Sequence, residues 1–158
     1  MRLIFLGTGP TEPVRRPERR SERTNSSIIL VDGEEAILFD CAPNFTEQMH
    51  REKLDPEIIR YVFLSHGHMD AVGGLPQLFR ANRDFIVYCS NETKNRILEE
   101  FKSLKSARFE NIEHGKEVDI HLRGDAHVRV IPFDVTHAEA FPTGKKFPTL
   151  GFRIELKS

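Results

Sequence analysis

Cysteine is scarce in this 158-residue chain, which carries only Cys41 and Cys89. Two thiols are too few for a disulfide scaffold, so both are expected to be free. Net charge is scarce as well. With 23 Lys and Arg against 24 Asp and Glu, the formal balance is −1. The field of the whole protein therefore draws in neither nucleic acid nor membrane, and an anionic substrate has to be recognised locally. The N-terminus lacks the apolar length of a secretory segment, because Leu3 to Leu6 is interrupted at once by Gly7-Thr8-Gly9-Pro10. A cytoplasmic protein with no membrane partner is the expectation. No helix with a P-loop lysine follows Gly7-Thr8-Gly9, so the glycine pair reads as a tight turn rather than a phosphate cradle. Internal repeats and low-complexity segments are absent too. What remains, 39% apolar and 30% charged residues over one domain's length, can build a single globular core spanning 1–158.

One stretch stands out: Tyr61-Val62-Phe63-Leu64-Ser65-His66-Gly67-His68-Met69-Asp70-Ala71-Val72-Gly73-Gly74. Tyr61 to Leu64 reads as a buried strand, so His66 emerges at its C-terminal end, where the backbone turns and side chains converge. Histidines at i and i+2 with a carboxylate two residues further on have ligand spacing. Neutral imidazoles suit zinc and other first-row metals, and Asp70 adds a harder donor for a second ion or a base for water. Gly67, Gly73 and Gly74 allow close backbone approach and a turn into a following helix.

Arg2 to Leu6 forms a first strand, and Ser27 to Val31 with Ala36 to Phe39 a hairpin over Asp32-Gly33. Between them lies a polar loop, Thr11 to Asn25, with five arginines and three glutamates. Arg15, Arg16, Arg19 and Arg20 are candidate phosphate ligands, and a solvated loop of cancelling charges is the alternative. Asp40 sits at another strand end, where a carboxylate fixes a ligand histidine's tautomer from behind or caps the next helix, Thr46 to Lys53. Leu75 to Ala81 suits a short helix, Phe85 to Cys89 a strand, and Asn91 to Leu104 a helix with Ile97, Leu98, Phe101 and Leu104 on one face. Arg108 to Ile112, Glu117 to Leu122, His127 to Val135 and Thr149 to Leu156 complete the strands. Strands alternating with helices give an α/β layer. His50, His114, His121 and His127 read as surface residues. His137 differs, since it follows a strand end. Together His66, His68 and His137 offer three imidazoles and an open fourth position, the arrangement of metal-assisted hydrolysis.

His66-Gly67-His68-Met69-Asp70-Ala71 resembles the His-x-His-x-Asp-His signature of the metallo-β-lactamase superfamily, with Ala71 where a second-site histidine is usual. The resemblance covers nearly the whole chain. Phe5-Leu6-Gly7-Thr8-Gly9, then Phe39-Asp40-Cys41-Ala42-Pro43-Asn44-Phe45 with Gln48, and His137 ahead of Thr149-Leu150-Gly151-Phe152-Arg153-Ile154-Glu155 are similar to landmarks of one branch. That branch contains phosphodiesterases that open phosphoribosyl cyclic phosphates, and its neighbours include ribonuclease Z. The Asp-x-x-Pro-Asn-Phe stretch is closer to the cyclic phosphodiesterase side, since ribonuclease Z typically has a glycine-glutamate-glycine-threonine run there. The resemblance implies an αββα sandwich, zinc or alternatively manganese, His66, His68 and His137 on a first metal, and Asp70 on a second.

The family's bridging aspartate and C-terminal histidine have no counterpart before Ser158. About the N-terminal half of the sandwich is therefore expected, a domain apparently truncated at its C-terminus: a mixed β-sheet with helices on one face. Such a half would leave the other face as an apolar patch. That predicts a homo-oligomer packed sheet on sheet, or a missing C-terminal half. The favoured activity is hydrolysis of a small-molecule or nucleotide phosphodiester by metal-activated water. A ribonuclease Z-like tRNA 3′-processing nuclease is the second reading, with RNA the less favoured substrate. A non-catalytic half-domain serving assembly or interaction is the third, and the chain alone is expected to be inactive if the absent ligands are essential.

Overall fold

A computed structural model of the chain describes residues 1–9, 24–136 and 148–157. The N-terminal hydrophobic run forms β1 (Arg2–Gly7), and the two arms around Asp32-Gly33 form β2 (Ser27–Asp32) and β3 (Glu35–Phe39). Gly33 takes a positive φ of 58°, which closes this hairpin without a side-chain clash. Next come α1 (Phe45–Arg51), β4 (Ile59–Phe63), the short α2 (Met69–Val72), α3 (Leu75–Ala81), β5 (Ile86–Cys89), α4 (Asn91–Glu100) and β6 (Arg108–Asn111). These six strands make one mixed sheet in the order β1-β2-β3-β4-β5-β6. From β3 onward each strand is parallel to the next. The antiparallel pairs β1–β2 and β2–β3 turn β1 the same way round. The C-terminal ends of β1, β3, β4, β5 and β6 therefore meet at one rim, where ligands of open α/β sheets collect.

Helices cover one face of this sheet. Phe45 and Met49 of α1, Leu78 of α3 and Ile97 of α4 join Ile29, Leu38, Val62 and Val87 in one buried cluster. The helix expected over Asn91 to Leu104 stops at Glu100, because Phe101 leaves helical geometry at φ −117° and ψ 86°, and a 3-10 turn follows over Lys102–Ser106. Its start is firm: Ser90 Oγ accepts the Thr93 N–H at 3.2 Å. Ser90→Ala is expected to cost about 1 kcal/mol of stability, read as a lowered urea midpoint.

The opposite face is not bare, and here the expectation of an exposed apolar sheet is corrected. The strands β7 (Val118–His121), β8 (His127–Val135) and β9 (Thr149–Lys157) form a second, antiparallel sheet of their own. Its inward residues Ile120, Val128, Val130 and Leu150 bury Leu30, Ile37, Phe39 and Phe63 of the first sheet. Phe63 stacks on its sheet neighbours Phe39 at 5.4 Å and Tyr88 at 4.7 Å, and Phe152 of β9 crosses between the layers to meet Phe63 edge-on at 5.7 Å. With that face covered in cis, the physical reason for a sheet-on-sheet homodimer falls away. The layers are unequal, however. Leu3 and Phe5 of β1 pair in register with Leu30 and Ile28 yet stay 51% and 58% exposed.

His50, His114 and His121 are exposed as expected, and His127 is half-buried because its ring stacks on His121 at 4.2 Å. Cys41 and Cys89 are both buried and free. Among the described residues no helix is long and apolar enough to cross a membrane.

Candidate metal centre

The strand β4 delivers His66 to the rim, and the chain then turns through Gly67 and His68 into α2, which carries Asp70. Ligand atoms of His66, His68 and Asp70 all lie within 4.8 Å of one another. The two rings stand at 4.9 Å and nearly perpendicular, and His66 Nε2 is 3.4 Å from Asp70 Oδ1. His66 is buried, while His68 and Asp70 are half-buried. Two imidazoles and a carboxylate converging so closely are a donor set that fits zinc or manganese.

Close packing holds this turn. A Cβ on Gly67 would come within 3.2 Å of Arg96 Cδ and 3.5 Å of Thr93 Cα, so α4 rests directly on the backbone between the histidines. On the other side, a Cβ on Gly74 would meet the Ala42 carbonyl oxygen at 2.2 Å. That approach lets Cys41 N–H donate to Ala71 O at 2.7 Å and Gly74 N–H to Cys41 O at 2.9 Å, lacing the segment after β3 to α2. Ala71 itself is 2% exposed and belongs to the helix-side core. Where the superfamily signature has a second-site histidine, this chain has a packing residue.

Asp40 acts through an intermediary that sequence reasoning missed. Its backbone is left-handed, at φ 58°, a conformation that aspartate tolerates better than most residues. Its Oδ1 accepts the Ser65 N–H and its Oδ2 the Ser65 hydroxyl, each at 2.8 Å. Ser65 Oγ is in turn 2.8 Å from His66 Nδ1. A hydroxyl has one proton, so while Ser65 donates to the Asp40 carboxylate it can only accept from Nδ1–H, leaving the Nε2 lone pair of His66 facing Asp70. Burial raises the Asp40 carboxyl to about 7; the Ser65 hydrogen bonds oppose the rise and the charge of Asp70 adds to it. The alternative duty of capping α1 is not seen: its N-cap is Asn44. A hydroxyl immediately before the first histidine was the available signal.

Residues 35–158 match the family described as Beta-lactamase superfamily domain. The chain belongs to the metallo-β-lactamase superfamily. Within it the similarity lies with the ribonuclease Z-like branch. Ribonuclease Z of Methanosarcina acetivorans is 28% identical over 165 residues, covering 98% of this chain and 48% of that protein. Among solved structures, a diphosphatase from the PhnP family superposes with a TM-score of 0.73 at 22% identity, over 96% of this chain and 61% of that one. Zn(2+)-bound PqqB from Methylobacterium extorquens gives 0.76 at 21% identity, over 97% and 61%. These structural likenesses establish the fold. The chain spans about half the length of the curated relatives it matches across nearly its whole extent.

His137 and the arginines Arg15, Arg16, Arg19 and Arg20 lie outside the described residues. The ends of the arginine-bearing segment are nevertheless placed. Gly9 N–H donates to Thr24 O at 2.7 Å, and Gln48 Nε2 of α1 donates to Thr24 Oγ1 at 3.1 Å and Asn25 O at 2.9 Å. Arg51 of α1 also donates to the carbonyl of Leu6. Both ends thus sit on the helix that follows Asp40, at the rim that carries the histidines.

Proposed function

We propose that this chain carries the metal site of a phosphodiester hydrolase, with zinc, or alternatively manganese, held by His66, His68 and His137 and with Asp70 beside it. The observation that supports it most is the convergence of His66, His68 and Asp70 within 4.8 Å at a strand-end rim. A divalent cation there supplies Lewis acidity and acidifies water near neutral pH. The chain's own residues do the rest. Ser65 and Asp40 hold His66 in the tautomer that presents Nε2. Asp70 Oδ1 either takes a proton from the attacking water or serves a second ion. Arg15, Arg16, Arg19 and Arg20, which lie in sequence between Gly9 and Thr24, orient the phosphate through bidentate contacts.

The preference for small phosphodiesters over RNA finds no support in the comparisons, since curated relatives bear the name ribonuclease Z. An RNA substrate is therefore a full second reading, and a steep fall of RNA affinity with salt would favour it. The Ala71 substitution keeps a non-catalytic half-domain as the third.

The deciding experiment combines metal analysis with turnover. About one zinc or manganese per chain and hydrolysis of bis(p-nitrophenyl) phosphate are expected, with turnover lost on chelation and restored by adding the metal back. Less than one tightly held ion and no metal-dependent turnover would leave the non-catalytic reading standing.

A further inference from the structure

At the rim the two sheets part and leave a cavity of about 230 Å³. It adjoins the metal-site turn. Leu150 in its wall donates its N–H to Ser65 O at 2.8 Å, and Ser90 and Ile112 in its wall follow directly on β5 and β6, the strands beyond β4. Its lining has two characters. Ile112 and Leu150, 1% and 6% exposed, with Pro148 make an apolar floor. The lining also includes the acidic residues Glu92, Glu113 and Asp134 and the amide residues Asn91 and Asn111. His114 adds an imidazole whose Nδ1 accepts the Asp134 N–H at 3.1 Å, so the neutral ring offers Nε2–H. Among the described lining residues there is neither arginine nor lysine.

With three acidic residues among its described lining, the cavity disfavours a second phosphate. It suits a flat group that lies on an apolar floor and points donors outward. A nucleobase with an exocyclic amino group has that form: carboxylates accept from the cytosine amino group, and unstacked bases are read along their edges. Uracil has the same ring size but presents a carbonyl where cytosine has the amino group. We infer that this cavity receives the base adjoining the phosphate held at the His66–Asp70 turn, and that it selects an amino-bearing base. The inference rests on the phosphodiesterase reading, which places the phosphate at that turn.

Isothermal titration of cytidine 5′-monophosphate and uridine 5′-monophosphate into the zinc-loaded full chain tests it, with bis(p-nitrophenyl) phosphate turnover measured on the same preparation. The cytidine ligand should bind about tenfold more tightly, the scale of one well-made base contact. Replacing Glu92 and Glu113 together by alanine should bring the ratio close to one. Both side chains are exposed, so the variant should fold, which its amide NMR spectrum will show. Equal affinity for the two nucleotides, or a preference that survives the double substitution, overturns the inference. The two readings fail separately: absent metal-dependent turnover with the cytidine preference intact removes the hydrolase reading and leaves the base site, whereas turnover without preference does the reverse.

Discussion

Replacing His68 by alanine is expected to empty the metal site and abolish metal-dependent hydrolysis. His68 stands at the head of α2, its ring 4.9 Å from that of His66, and its ligand atom lies in the same 4.8 Å cluster as Asp70. Position 71, next to Asp70, is an alanine buried in the core and offers no replacement donor. Changes behind the ligands typically weaken metal binding about 10–100-fold, so loss of a ligand itself should exceed roughly 100-fold. The fold should survive, since His68 is half-buried and makes no part of either apolar cluster. Atomic spectroscopy after gel filtration, with circular dichroism as the folding control, reads both quantities. A variant that keeps a stoichiometric ion would remove His68 from the ligand set.

Asp40→Asn is expected to act at a distance, through a proton. Asparagine tolerates the left-handed backbone found at φ 58°, so the main chain need not move. Its Oδ1 can still accept the Ser65 N–H, but the other atom becomes a donor toward Ser65 Oγ. The Ser65 hydroxyl then turns its proton to His66 Nδ1, 2.8 Å away, and the ring carries its own proton on Nε2, the nitrogen 3.4 Å from Asp70. A protonated Nε2 cannot bind a cation, so metal affinity should fall about 10–100-fold. Nitrogen NMR shifts of His66 in the metal-free protein would report the tautomer directly. Unchanged affinity together with an unchanged tautomer would show that Ser65 does not transmit the state of Asp40.

The same variant should alter the pH profile of stability. The Asp40 carboxyl rises from the ordinary 3.8 to about 7 on folding, so the folded chain binds the extra proton between those values. Its contribution to stability is fully present below 3.8 and is lost as pH rises through about 7. Asparagine does not titrate, and urea midpoints of the metal-free variant should lack that part of the slope.

Much of this was legible in the sequence. The strand before His66 announced itself by four consecutive apolar residues, and the hairpin over Asp32-Gly33 by its turn pair. Asp40 was legible as a strand-end carboxylate between Phe39 and Cys41, with a helix cap as its open alternative. What escaped was long-range. Nothing local told that β7, β8 and β9 would fold back over the first sheet, since alternating residues such as those from His127 to Pro132 read the same whether their apolar side meets a neighbouring layer or a partner. The break of α4 at Phe101 escaped because Leu104 keeps helical spacing with Ile97 and is buried from the 3-10 turn instead. Ser65 escaped because its role exists only once Asp40, 25 residues earlier, is brought against it.

The bond between Gly9 and Thr24, with Gln48 and Arg51 gripping both flanks, brings two distant points of the chain to one stem. The cost of closing a chain grows only with the logarithm of its length, so inserted or exchanged residues between those points weigh little on the rest of the fold. Evolution can thus vary the sequence between Gly9 and Thr24 while the histidine turn, resting on α4 through Gly67, keeps its shape.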